Sequence, residues 1–226
     1  MTILIAAAAV FVLMHLLIAG TRLRGVIVGV IGEGAYAGLF SLGSVAALVW
    51  LGMSYGGARG QGEVLWATPD WGKTAQAVIQ FVALMLIVPG LLTPNPTAVG
   101  QMGAVEKPAT GMVRITRHPF LWGVAIWAAG HLLVNGDTPS IILFASVAIL
   151  SLVGTTSIDL KRKHKLGEAW AGFAAQTSNI PFGAILSGRQ SLKLGEIGWW
   201  RLALGVIVWF ALFHGHQYIF GVSALP

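Results

Sequence analysis

Apolar residues in this chain come in long blocks rather than alternating with polar ones. The blocks run over about residues 2–20, 26–53, 74–92, 120–134, 140–158 and 198–222. Most approach the roughly 20 residues that an α-helix needs to cross a hydrocarbon core. The fourth is short and gains length from His118 and Pro119 at one end and Asn135 at the other. The pattern predicts an all-α, polytopic helical bundle integral to a membrane, with about six transmembrane helices. Two loops are long. Residues 93–118 carry Pro94, Pro96 and Pro108, which predicts irregular or partly re-entrant chain. Residues 159–197 open on "DLKRKHKLGEAWAGFAAQ", which predicts an amphipathic helix at headgroup level, anchored by Trp170 and Phe173.

Composition supports the membrane reading. Only 10% of the 226 residues are charged and 56% are hydrophobic, where a soluble domain carries about a quarter charged residues. The strongly basic balance does not point to nucleic acid, because the cations sit between apolar blocks. With the N-terminus outside, twelve of the fourteen Lys and Arg residues fall on inner segments, and only Arg59 and Lys73 fall outside. The positive-inside rule therefore predicts a multi-pass protein with both termini outside and the lipid bilayer as its partner. In the first block Arg22 and Arg24 follow the apolar run, the reverse of a signal peptide, which argues for a retained helix. The absence of cysteine removes disulfides, thiolate metal sites and covalent c-type haem attachment. No internal repeat and no separate soluble domain are evident.

Six histidines carry the candidate chemistry. His118 and His164 fall at the inner interface, and His214 and His216 towards the outer end of the last block. The last pair is a weak metal candidate, because i and i+2 do not share a helix face. His15 and His131 fall inside apolar blocks, where an ionisable group faces a partner, a cavity or a cofactor. Two neutral imidazoles from different helices suit a b-type haem, which needs axial ligands and no cysteine. Arg22, Arg114 and Arg117 stand on the inner side to receive propionates, and Trp127, one turn before His131, is a candidate cofactor wall. The bland alternative is that each histidine bonds a neighbouring backbone. For His118 in Arg-His-Pro it is a helix start with Pro119 at a favoured position, and for the 161–165 run it is a topology signal or headgroup contact.

The segments "MHLLIAGTRLR", "TGMVRITRHPFLWGVAIWAAGHLLVNGD" and "DLKRKHKLGEAWAGFAAQTSNIPF", in this order, resemble the NnrU family across essentially the whole chain. The resemblance implies a single transmembrane domain over 1–226, in a bacterial inner membrane. It also implies a haem b cofactor with His15 and His131 as axial ligands, His118 standing near the cofactor, and a redox-linked or isomerase-type activity. Bacterial members stand among denitrification functions, which makes nitric oxide a candidate ligand. A plant relative is a zeta-carotene isomerase, which makes an apolar polyene a candidate substrate. A second resemblance is to membrane methyltransferases. Arg117-His118-Pro119 and Glu168 in "GEAW" match the region that holds S-adenosylmethionine at the cytosolic face in those enzymes.

Overall fold

A computed structural model describes residues 1–225. Helix α1 (Thr2–Leu13) ends in a π-turn over Met14–Ile18, and α2 (Leu23–Ile31) and α3 (Glu33–Ala58) follow. Strand β1 (Val64–Trp66) leads to α4 (Gly72–Leu92), then α5 (Met112–Ile115) and α6 (Pro119–Val134). Strand β2 (Gly136–Asp137), α7 (Thr138–Gln176), α8 (Gly183–Leu186) and α9 (Trp199–Phe220) complete the chain. Four helices, α3, α4, α7 and α9, are long and apolar enough to cross a membrane, and α6 is a shorter apolar helix. Their outward faces are oily. Leu42 is 70% exposed and Ile207 62% exposed, positions that only lipid covers without cost. The chain is a membrane helical bundle.

Helices α4, α6 and α7 form the centre, with α9 against α4 on one side and α1 and α3 against α7 on the other. The closest approach is between α4 and α6. A Cβ on Gly123 would lie 2.8 Å from the Ala83 carbonyl oxygen and 3.0 Å from the Ile87 amide nitrogen. One on Gly130 would lie 2.5 Å from Gln76 Oε1. Helices in lipid gain nothing from excluding water between them, so backbone approach through small residues supplies the contact.

The structure redraws three of the expected segments. Block 26–53 is not one helix, because the chain breaks at Gly32 (φ +82°), a conformation open to glycine, and α3 begins at Glu33. Helix α2 bends 78° away from α1, and an Arg24–Glu33 ion pair spans the second break, at Gly32. Block 140–158 runs on as helix through the basic run to Leu166, the backbone breaks at Gly167 (φ 52°), and a second helical stretch of α7 follows to Gln176. Trp170 and Phe173 are buried against Val105, Ala109 and Val113 instead of anchoring in headgroups. The irregular 93–118 segment, with its 3₁₀ turn Met102–Glu106 and the single turn α5, folds back over them as a cap.

One end of the bundle carries most of the cations and is called the basic face below. The opposite end holds both chain ends. Arg59 donates to the Phe220 carbonyl at 2.9 Å and Lys73 to that of Leu225 at 3.1 Å. The Met1 side chain lies beside Gly62 and Thr138. A short antiparallel ladder closes this end, pairing Val64 with Asp137 and Trp66 with Gly136.

The α4–α6 contact yields a stability prediction. Gly123→Ala is expected to lower stability by about 1–3 kcal/mol, because the clash is with backbone. Gly172→Ala, on the exposed part of α7 with nothing within 4 Å, is expected to raise it by about 0.5–1 kcal/mol. Thermal unfolding of the detergent-solubilised variants separates the two.

Candidate functional site

His131 sits near the end of α6, walled by aromatic rings. Its imidazole stacks on Phe144 of α7 (4.6 Å between centroids, 19° between planes) and lies 4.5 Å from Trp127. Trp127 and Tyr55 of α3 pack on Phe144 in turn. Nδ1–H donates to the Trp127 carbonyl at 2.9 Å, and Gln80 of α4 donates to that same carbonyl at 3.0 Å. A carbonyl only accepts, so this bond places the proton on Nδ1, which also lies 3.3 Å from Gln80 Nε2, and leaves the lone pair on Nε2, the arrangement a ligating histidine requires. Gln80 was missed in the sequence reading, although it is a lone amide within an apolar block.

His15 lies in the π-turn, a distortion frequent at functional sites. Its Nδ1–H donates to the Phe11 carbonyl at 2.7 Å, and its ring packs on Phe11 and on Phe40 of α3. The structure does not bring it to His131. Met1 and Thr138 stand at one level. By helical rise His15 lies about 21 Å below that level, and Phe144, which carries the His131 ring, about 9 Å below it. The two imidazoles are therefore separated by about 12 Å in depth, on helices that each pack on α7.

At the basic face the chain builds a buried polar cluster around Asp159, one residue beyond the apolar part of α7. Arg117 donates to both carboxylate oxygens, Nε to Oδ1 at 2.9 Å and Nη2 to Oδ2 at 2.5 Å. His118 Nε2–H donates to Oδ1 at 2.7 Å, and Asn179 Nδ2 to Oδ2 at 3.1 Å. His118 caps α6, as Arg-His-Pro suggested, but its side chain is only 1% exposed. With Nε2 carrying the proton, Nδ1 has no partner among the described residues. The neighbouring chain is laced together. Arg117 N donates to the Ser178 carbonyl (2.9 Å), Phe182 N to that of Ile115 (2.7 Å), and Asn95 Nδ2 to that of Arg117 (2.9 Å). Burial pushes the His118 pKa down more than Asp159 raises it. Burial alone would raise that of Asp159, but the bonds from His118 and Arg117 win and hold it well below the usual carboxylate range. The pair is an ionised aspartate and a neutral imidazole.

Two of the three arginines expected to receive propionates are engaged elsewhere. Arg117 is held by Asp159, and Arg114 donates to Glu196 at 2.7 Å and to Gln190. Arg22 is exposed at the start of α2. Glu168 lines an open cleft with Lys107 and Gln176, whereas Arg117 lines a different one with Asn179 and Arg189. The residues matched to a methyltransferase site do not share a cleft. Asp159 is legible after the fact as the carboxylate that ends the fifth apolar block, the partner a buried Arg-His pair demands.

Comparison with known proteins agrees with this architecture. The family described as NnrU protein matches residues 3–224. A 15-cis-zeta-carotene isomerase, chloroplastic, of Zea mays is 38% identical over 108 residues, 45% of this chain and 29% of that protein. The protein of the same description in Arabidopsis thaliana is 30% identical over 171 residues, 72% of this chain and 45% of the relative. The chain thus spans less than half the length of these curated relatives. No solved structure matches it.

Acid sensitivity follows from the cluster. A group whose pKa is lowered on folding contributes stability that is complete above its unfolded value and is lost as pH falls towards the folded one. For His118 the loss starts below 6.5, and for Asp159 below 3.8. The melting temperature is expected to be insensitive to His118 above about pH 7 and to fall as pH drops below 6.5, with His118→Gln removing part of that fall. Asp159→Asn is expected to cost about 1–3 kcal/mol, less than for a fully buried pair, because the partly buried Arg117 loses its counter-charge but keeps some access to water.

Proposed function

The chain belongs to the NnrU family, and from that membership we propose a membrane isomerase acting on a cis double bond of an apolar polyene. The observation that carries the proposal is the similarity of 72% of the chain to a protein described as 15-cis-zeta-carotene isomerase. The geometry agrees in kind. The bundle offers a lipid-facing apolar surface to a substrate dissolved in the bilayer. Within it, the rings of Trp127, His131, Phe144 and Tyr55 make an aromatic wall against which a conjugated chain packs. The relatives' descriptions concern a polyene, so the polyene rather than nitric oxide is carried forward, and nothing at the basic face favours the methyltransferase alternative. We place the protein in a bacterial inner membrane with six crossings. The four long helices are joined by α6 and by α1 with its π-turn, and both termini lie outside, opposite the basic face.

Haem b is the cofactor expected from the family resemblance. The donor chemistry suits an axial ligand at either histidine, since each has Nδ1 bonded to its own helix and Nε2 free. The spacing does not suit one iron between them, because the two rings stand at different depths. Arg114 and Arg117 are also committed to carboxylates. As the helices stand, the pair does not fit the macrocycle. The residues themselves do the following. Trp127 and Gln80 orient His131, Phe144 stacks on its face, and Gly130 keeps α6 close against α4.

Two measurements test this reading. Membranes containing the protein and supplied with a 15-cis polyene are expected to yield the trans isomer by chromatography, with His131→Ala at least ~10-fold slower, the loss typical of removing an acting or positioning group. An unchanged rate in His131→Ala would overturn the assignment of the site. Reduced-minus-oxidised spectra of wild type, His15→Ala and His131→Ala test haem directly. The placement predicts that the two variants differ, whereas identical loss of low-spin bands in both would show a shared iron and a rearranged α1.

A further inference from the structure

We propose that Arg24, Lys161 and Arg162 form a site for the phosphate of an anionic lipid headgroup, where the end of α1, the start of α2, α7 and the 96–98 segment meet. Lys161 Nζ donates to the Ala19 carbonyl at 3.1 Å. Arg162 donates through Nε to the carbonyl of Pro96 (2.6 Å) and through Nη2 to that of Ala98 (3.2 Å). These bonds tie both side chains in place but bring no negative charge. Arg24 is paired with Glu33 and lies over the Tyr36 ring, 5.1 Å from its centroid. Among the described residues, Glu33 is thus the one carboxylate ion-paired to these three cations. Burial depresses the proton affinity of Lys161 and Arg162, and the Arg24 charge depresses both further.

A topology signal does not require this burial. Lys163 and Lys165, on the same turns of α7, are exposed and serve that purpose, whereas Lys161 and Arg162 are half-buried. Holding uncompensated cations at a low-dielectric boundary is unfavourable unless an anion completes the group. Donors remain for one. Lys161 keeps two N–H groups and Arg162 keeps its Nη1 pair. A second observation points the same way. Tyr36 is 7% exposed and its hydroxyl, on the ring under Arg24, has no partner among the described residues. The occupant is a lipid rather than a free ion because the site adjoins an unburied apolar strip. Leu23, Val26 and Val30 of α2 are 45%, 64% and 81% exposed beside Arg24, a surface suited to acyl chains next to a bound headgroup.

The test uses the full chain in detergent with phosphatidylglycerol, phosphatidylcholine or inorganic phosphate added, read by native mass spectrometry and by melting temperature. Wild type is expected to retain phosphatidylglycerol at least ~10-fold better than phosphatidylcholine, a ratio that corresponds to about 1.4 kcal/mol, and to melt higher with it. Lys161→Gln/Arg162→Gln is expected to lose the preference, while Lys163→Gln/Lys165→Gln, with the same charge removed, keeps it. If the first variant does not fold, the conservative Lys161→Arg is expected to keep the preference and Tyr36→Phe to weaken it. Equal retention of the two lipids by wild type would overturn the site. Equal stabilisation by inorganic phosphate would overturn the lipid assignment, and equal loss in both double variants would reduce the effect to net charge.

Discussion

The architecture depends on one carboxylate placed where a membrane helix leaves the apolar layer. Asp159 receives hydrogen bonds from Arg117, His118 and Asn179, three groups from two segments on either side of it in sequence. A buried guanidinium without a counter-charge is among the most expensive groups a fold can hold. This single acid therefore decides where the start of α6 sits against α7, and where the 177–182 segment crosses both. The entry of α6 then sets which face of that helix meets α4. That face carries Gly123 and Gly130, so the electrostatic fix at the basic face and the close packing inside the bilayer describe one constraint. His131 inherits its position from it, twelve residues along the same helix.

How much of this was legible in the sequence follows from which forces are local. The bilayer imposes helix wherever a long apolar run occurs, because unpaired backbone groups have no solvent there. Spans over α4, α6 and α9 are readable for that reason alone. The boundary at Gly32 was not, because glycine is permitted within helices and only the Arg24–Glu33 pair marks the break as a corner at the basic face. Trp170 and Phe173 have the composition of an interfacial anchor. What buries them is the 93–118 segment folding back, a tertiary event with no signature in the 159–176 stretch itself. The Val64–Asp137 ladder is likewise invisible, being two or three residues from each of two distant loops.

The candidate site shows the same division. That His15 and His131 are unusual was readable from their apolar surroundings, and both have a bonded Nδ1 and a free Nε2. That they share one centre was not, because an apolar block says nothing of relative depth, which the contacts among Met1, Gly62 and Thr138 set by fixing the ends of α1 and α7 against each other. Arg114 and Arg117 were assigned as free cations because their acids, Glu196 and Asp159, lie 82 and 42 residues away in sequence. Pairing at such separations is a property of the fold, and no local pattern announces it.

The bundle thus divides its polar chemistry by depth. Charged groups are confined to the two ends of the bundle, and at the basic face Asp159 and Glu196 neutralise their arginines at the edge of the apolar layer. Deeper in, the polar side chains are neutral. His131, Gln80 and Gln76 lie within the α4–α6 contact, and Gln76 Oε1 and Gln80 Oε1 have no partners among the described residues. A neutral imidazole is tolerated at that depth because its Nδ1–H is satisfied by its own helix, whereas an imidazolium would have no counter-charge within reach. The chemistry open to His131 is therefore that of a lone-pair donor held against aromatic rings, and that of His118 is to fix an ionised carboxylate. Two histidines thirteen residues apart, on one helix and its cap, are set to opposite tasks by their surroundings.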